Sequence, residues 1–90
     1  MWKIVYSTKF KKDLKRYQRN AEKLAALKKV LHQLREAGKV DISYKPHQLT
    51  GEYIGCMECH IQNDFLLIWI DVEEHTISLV RLGTHSELFR

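Results

Sequence analysis

Apolar positions recur at helical spacing along the first 39 residues, whereas beyond residue 50 they alternate or run together as they do in strands. Trp2–Tyr6, with its β-branched and aromatic side chains, predicts a first strand. Ser7 then serves as the N-cap of a helix in which Phe10, Leu14 and Tyr17 share one apolar face. Asn20 caps a second helix, where Leu24, Leu27, Leu31 and Leu34 follow helical spacing until Gly38 ends it. The pair predicts a helical hairpin.

After a loop through Pro46 the period changes to two. In the stretch Tyr53–Ile61, one side carries Tyr53, Met57, Cys59 and Ile61, and the other carries Ile54, Cys56, Glu58 and His60. Gln62-Asn63-Asp64 predicts a turn into Phe65–Ile70, a run apolar on both faces and therefore a central strand. A second turn over Asp71–His75 leads to a last strand, Thr76–Leu82. Gly83 then releases the chain into Thr84 and Glu87, which have capping-box spacing for a short terminal helix. The order βααβββ predicts an α+β fold, a small antiparallel sheet packed against an N-terminal helical hairpin, in one domain over residues 1–90.

The spacing Cys56-x-x-Cys59-His60 changes the picture only briefly. It can mark haem attachment or half a zinc site. Residues i and i+3 of a strand face opposite ways, however, and no second pair of ligands follows, so neither metal nor cofactor is expected. Cys59 is expected in the core. No run approaches the roughly 20 apolar residues of a membrane span, and the N-terminus does not read as a secretion signal, which predicts a cytoplasmic protein with free thiols.

Charge divides the chain more informatively than its net +4 suggests. Residues 1–39 hold twelve Lys or Arg against three acidic residues, and residues 40–90 hold three against eight. The basic half suits a polyanion or an acidic protein partner.

Candidate chemistry lies in the second half. His47, His60 and His85 are far apart in sequence, yet a meander can gather an entry loop, a first hairpin and the end of a last strand. Imidazoles exchange protons near neutrality. Glu58 beside His60, Asp64 in the turn and Arg81 before Gly83 add carboxylates and a fixed positive charge.

His47-x-Leu49-x-Gly51, Glu58-Cys59-His60-Ile61, Asp64-x-Leu66-Leu67-Ile68-Trp69 and Arg81-x-Gly83-Thr84-His85-Ser86-Glu87-Leu88-Phe89 together resemble the YafQ branch of the RelE/ParE toxin superfamily. Ser7–Tyr17 is similar to the first helix of these toxins. The resemblance implies a ribosome-dependent endoribonuclease that cuts messenger RNA in the decoding site, silenced by a DinJ- or RelB-like antitoxin with an acidic segment, and meeting DNA only as the toxin–antitoxin complex. By position it implies functional roles for His47, His60, Asp64, His85 and Phe89, with Arg81 as a basic neighbour. The residue types suit that activity: metal-free RNA cleavage needs a base for the 2′-hydroxyl, positive charge on the phosphorane-like transition state and an acid for the leaving 5′-oxygen. In this reading His85 and His47 are the acid–base pair in either order, His60 and Asp64 orient them, and Arg81 holds the phosphate. Glu58 stands where the family carries Asp. Phe89 is then a base-stacking or site-packing group. Lys9, Lys11, Lys12, Lys15, Arg16 and Arg19 would bind ribosomal RNA phosphates on a face away from the cutting site. Two other classes stay open: a gyrase-poisoning relative of the same fold, which has no need of the titratable set, and a non-catalytic nucleic-acid-binding module.

Overall fold

A computed structural model describes residues 1–89. The elements are β1 (Lys3–Tyr6), α1 (Thr8–Lys15), α2 (Ala21–Ala37), β2 (His47–Gln48), β3 (Met57–Gln62), β4 (Phe65–Glu73), β5 (Thr76–Gly83) and α3 (His85–Leu88). Short 3₁₀ turns occupy Ile42–Tyr44 and Gly51–Tyr53.

Local chemistry sets the helix ends. The Ser7 hydroxyl accepts from the Phe10 N–H, and the Asn20 side chain accepts from that of Lys23. Gly38 closes α2 at φ +71°, and the Trp2 ring lies where any Cβ at this position would stand. Thr84 and Glu87 form the expected capping box.

The sheet has the order β1-β5-β4-β3-β2. Strands β3, β4 and β5 make the expected antiparallel meander, but β1 pairs with β5 in parallel, and the two-residue β2 adds an antiparallel strand at the far edge. The sheet is therefore mixed, not wholly antiparallel. After β1 the chain turns over the sheet as α1 and α2 and comes back on its far side.

Phe65 to Trp69 on the central strand are all buried, as their two-sided apolar character requires. Helix residues Phe10, Leu27, Val30 and Leu34 pack with Cys59, Ile61, Phe65 and Leu67 in the main core. Tyr53, Cys56, Leu66, Ile68 and Leu88 form a smaller cluster on the opposite face. The two cysteines thus sit in different clusters, both as free thiols. Burial, with the neighbouring charge of Glu58, pushes the Cys59 thiol up to about 12.

One expectation needs correction. Tyr53 does not share the side of Met57, because the chain at Gly55 runs at φ +91° and breaks the alternation before β3 begins. On α1 the basic residues point outward, but Asp13 among them is 3% exposed. Beyond the end of β1 the edge of β5 has lost its strand partner, and side chains take over. The Ser7 hydroxyl donates to the Val80 carbonyl at 3.1 Å, and Asp13 accepts from the Leu82 N–H at 2.9 Å.

Among the described residues no helix is long and apolar enough to cross a membrane.

Candidate active site

Strand parity and register build the site on the sheet face that the two long helices leave uncovered. Glu58 and His60 share a face of β3, and pairing sets His47 of β2 directly across from Glu58. On the next strand His60 stands opposite Leu66, which in turn pairs with Gly83, two residues before His85. Three imidazoles consequently form a row. The ring centroids of His47 and His60 are 6.1 Å apart, and those of His60 and His85 are 6.0 Å apart. Phe89 extends the row at 5.8 Å from His85, and Tyr53 meets Phe89 edge-on at 5.4 Å.

Each end of the row is held by a carboxylate. Asp64, in the β3–β4 turn, accepts from both the backbone N–H and the Nδ1 of His85, each at 2.9 Å. These two bonds, the backbone one first, hold the Asp64 carboxyl below the usual carboxylate range. They also leave Nε2 of His85 free. At the other end, His47 Nδ1 lies 2.9 Å from the Lys45 carbonyl, and Nε2 lies 3.0 Å from Glu58 Oε1. A carbonyl only accepts, so Nδ1 carries the proton that it donates. The second contact is then a hydrogen bond only if a further proton sits between the ring and Glu58. Glu58 Oε2 is buried and has no partner among the described residues.

Arg81 is tied differently from the expected phosphate holder. A bulge around Val80 lets it pair across from Ile68, and its Nε and Nη2 donate to Asp13 at 2.7 and 3.1 Å. This fork raises its pKa, with the Asp13 hydrogen bond as the main cause. Nη1 donates to the Tyr53 hydroxyl at 3.2 Å, and that hydroxyl donates to the Leu88 carbonyl at 3.0 Å. Among the described residues no hydrogen bond joins Arg81 to the imidazoles. Its connection to them runs through Tyr53 and the C-terminal turn.

Tyr53 and Asp13 were not expected in this role. The signal for Tyr53 was its position between Gly51 and Gly55, which marks a turn and not a strand. Asp13 gave no local signal, because its partners lie 68 and 69 residues away.

Lys9, Lys11, Lys12, Lys15, Arg16 and Arg19 are all exposed on α1 and the turn after it. The expectation was a face away from the cutting site, but one end of this set reaches toward it. Arg16 approaches Glu87 to 3.5 Å, and the Tyr17 hydroxyl donates to the same carboxylate at 2.7 Å. The turn that follows the basic helix therefore touches α3, which carries His85.

The expectation of no metal rested on the cysteines. The donor atoms that do converge belong to His47, Glu58 and His60, all within 4.8 Å of one another.

Comparison with known proteins places this mixed sheet and its helices among small bacterial toxins. Residues 2–90 match the family described as bacterial toxin of type II toxin-antitoxin system, YafQ, and the chain belongs to that family. The mRNA interferase toxin YafQ of Escherichia coli K12 is 30% identical over 87 residues, spanning 96% of this chain and 94% of that protein. A metal-bound toxin from Helicobacter pylori is 42% identical with a TM-score of 0.85, covering 99% of this chain and all of that one. YafQ in the E. coli DinJ–YafQ toxin–antitoxin complex is 29% identical with a TM-score of 0.83, covering 99% of this chain and 98% of that one.

Proposed function

We propose that this toxin is a ribosome-dependent endoribonuclease that cleaves messenger RNA by acid–base catalysis and is silenced by a DinJ-like antitoxin. The observation that carries the reading is the row His47–His60–His85 on an open sheet face, with a carboxylate on each outer ring.

In-line displacement at phosphorus requires base and acid on opposite sides of the reacting group. A phosphate over the central His60 meets that requirement, with His47 on one side and His85 on the other. His85 offers its Nε2 directly, and His47 does so once its Nε2 leaves Glu58 Oε1; one of the two takes the 2′-hydroxyl proton as the 2′-oxygen attacks phosphorus. The other protonates the 5′-oxygen as its bond to phosphorus breaks, leaving a 2′,3′-cyclic phosphate and a 5′-hydroxyl. His60 supplies charge beside the phosphorane, and Asp64 orients His85. Phe89, 42% exposed at the end of the row, offers a face on which a base can stack. Arg81 acts on this site as a scaffold, fixing Tyr53 and hence the turn that carries Phe89.

Ribosome binding falls to the exposed cations of α1 and of the turn after it, whose contact with α3 brings ribosomal phosphates and the cutting site under one footprint. An acidic antitoxin segment would be steered to the same surface.

The test is to map messenger RNA ends on ribosomes incubated with the purified toxin. Cleavage with a 5′-hydroxyl product, blocked by a 2′-deoxy nucleotide at the scissile position, is expected. Cleavage of the 2′-deoxy substrate, or no cleavage by folded toxin on ribosomes, defeats the reading.

A further inference from the structure

We propose that Lys45 supplies the fixed positive charge of the cleavage site, its ammonium group holding a non-bridging oxygen of the scissile phosphate beside His60. The inference rests on the nuclease reading and adds a catalytic residue to it. Charge is needed on the phosphorane throughout the neutral range, and an imidazole carries it only when protonated, whereas a lysine carries it always. Beyond residue 39 the described lysines and arginines are Lys45 and Arg81, and Asp13 occupies the guanidinium fork of Arg81. Lys45 is exposed and takes part in no ion pair among the described residues.

Its position suits the role. β2 pairs only with Met57 and Glu58, so the edge of β3 beside His60 is left without a strand. A cleft of about 330 Å³ opens there, and Tyr44, Lys45, His60 and Asn63 are among the residues that line it. The central imidazole and the free cation thus share one opening on the row.

The backbone gives a second, independent reason. Lys45 stands at φ +53° and ψ 51°, directly before Pro46, where glycine or asparagine is the more usual occupant. This conformation accompanies the 2.9 Å contact between the Lys45 carbonyl and His47 Nδ1. Glycine could present the same carbonyl with less strain, so what lysine adds is its side chain. Strain of this kind collects at functional sites. One residue then orients an outer imidazole through its carbonyl and offers its ammonium to the phosphate.

Single-turnover cleavage on ribosomes, with toxin saturating, compares three variants of the full chain. Lys45→Gln removes the charge, Lys45→Gly suits the backbone, and Lys45→Arg keeps the charge. The first two should lose about 10²-fold in the saturated rate, the usual cost of removing one donor from a developing oxyanion, and arginine should recover most of it. Lys3→Gln, on the opposite edge of the sheet, serves as the control and should match the wild type. Circular dichroism confirms that each variant is folded, and Lys45→Gly should melt no lower than the wild type, because glycine relieves the strain. A loss confined to ribosome affinity, with the saturated rate unchanged, would make Lys45 a ribosomal contact and overturn the assignment. Titration with inorganic phosphate, followed by the His60 ring resonances, reads the site without cleavage: the ring should shift in the wild type and much less in Lys45→Gln. Equal shifts in both proteins, or none in the wild type, overturn the assignment as well. If the wild type fails to cleave at all, the nuclease reading falls, while the phosphate titration still decides the site.

Discussion

The two ends of the imidazole row carry the same pair of groups in opposite environments. At His85 and Asp64 both side chains are more than half exposed, at 57% and 59%. At His47 and Glu58 the ring is half exposed but the carboxylate is 3% exposed, and half of that carboxylate is unmatched. An exposed pair is held weakly and exchanges its protons freely with whatever approaches. A pair with one buried member is held by the cost of separating it. The difference teaches that the row has a free end and a fixed end: His85 has an open Nε2 and a light tether, while His47 is bound to the sheet through Glu58 and to the Pro46 loop through the Lys45 carbonyl.

Removing either outer imidazole gives the largest effect. His85→Ala should lower cleavage of ribosome-bound message about 10²- to 10⁴-fold, the usual worth of a positioned acid or base, without weakening ribosome binding. His47→Ala should lose a comparable factor. Single-turnover rates with toxin in excess measure both. Full activity in either variant would break the symmetry of roles assigned to the two ends.

Stability should then separate what activity does not. His85→Ala removes an exposed group, so its melting temperature should fall by less than about 4 °C. His47→Ala leaves Glu58 buried with neither oxygen matched, at a cost of about 2 kcal/mol, or roughly 10 °C for a chain of this size. Thermal melts of the two variants side by side are decisive. Equal melting temperatures would show that Glu58 turns out to water when its partner is lost, and that the fixed end is not fixed.

Asp64→Asn is milder than either. Asparagine keeps an oxygen for the His85 N–H but gives up the charge, and an exposed pair contributes little in water. A fall in single-turnover rate of at most about fivefold is expected. A loss as deep as that of His85→Ala would mean that Asp64 takes part in the chemistry and is more than a tether.

What was legible in the sequence follows the range of the interactions concerned. Helix caps are written within four residues, so Ser7, Asn20, Gly38 and the Thr84–Glu87 box could all be read directly. The parity that puts Glu58 and His60 on one face of β3 was equally local. The parallel pairing of β1 with β5 was not, because its register couples Lys3 to Thr76 across almost the whole chain. Burial of Asp13 was hidden for the same reason, since a carboxylate flanked by Lys12 and Leu14 gives no hint of Arg81 or Leu82. Arg81 was placed correctly at the end of a strand and read too simply. A bidentate partner elsewhere in the chain occupies the fork that a phosphate would need. Histidines, family resemblance and strand order together gave the members of the row, but only register could show that His60 lies between the other two.

The smallest effect sharpens the comparison through pH. Asp64 keeps its proton less readily than an ordinary carboxyl, because the His85 backbone N–H and then the ring donate to its ionised form. For a depressed carboxyl, the stabilisation is present above the unfolded value of about 3.9 and is lost as pH falls through the lower folded value. The free end should therefore be intact throughout the neutral range and open only in acid. In a carbon-detected titration, the Asp64 carboxyl should turn over below pH about 3.9, and the His85 amide resonance should move with the same midpoint as its acceptor is protonated. Asp64→Asn should abolish the amide transition. A midpoint at or above about 3.9, or an amide that does not follow it, would mean that the bond is not held in solution and that His85 is looser than its contacts with Asp64 imply.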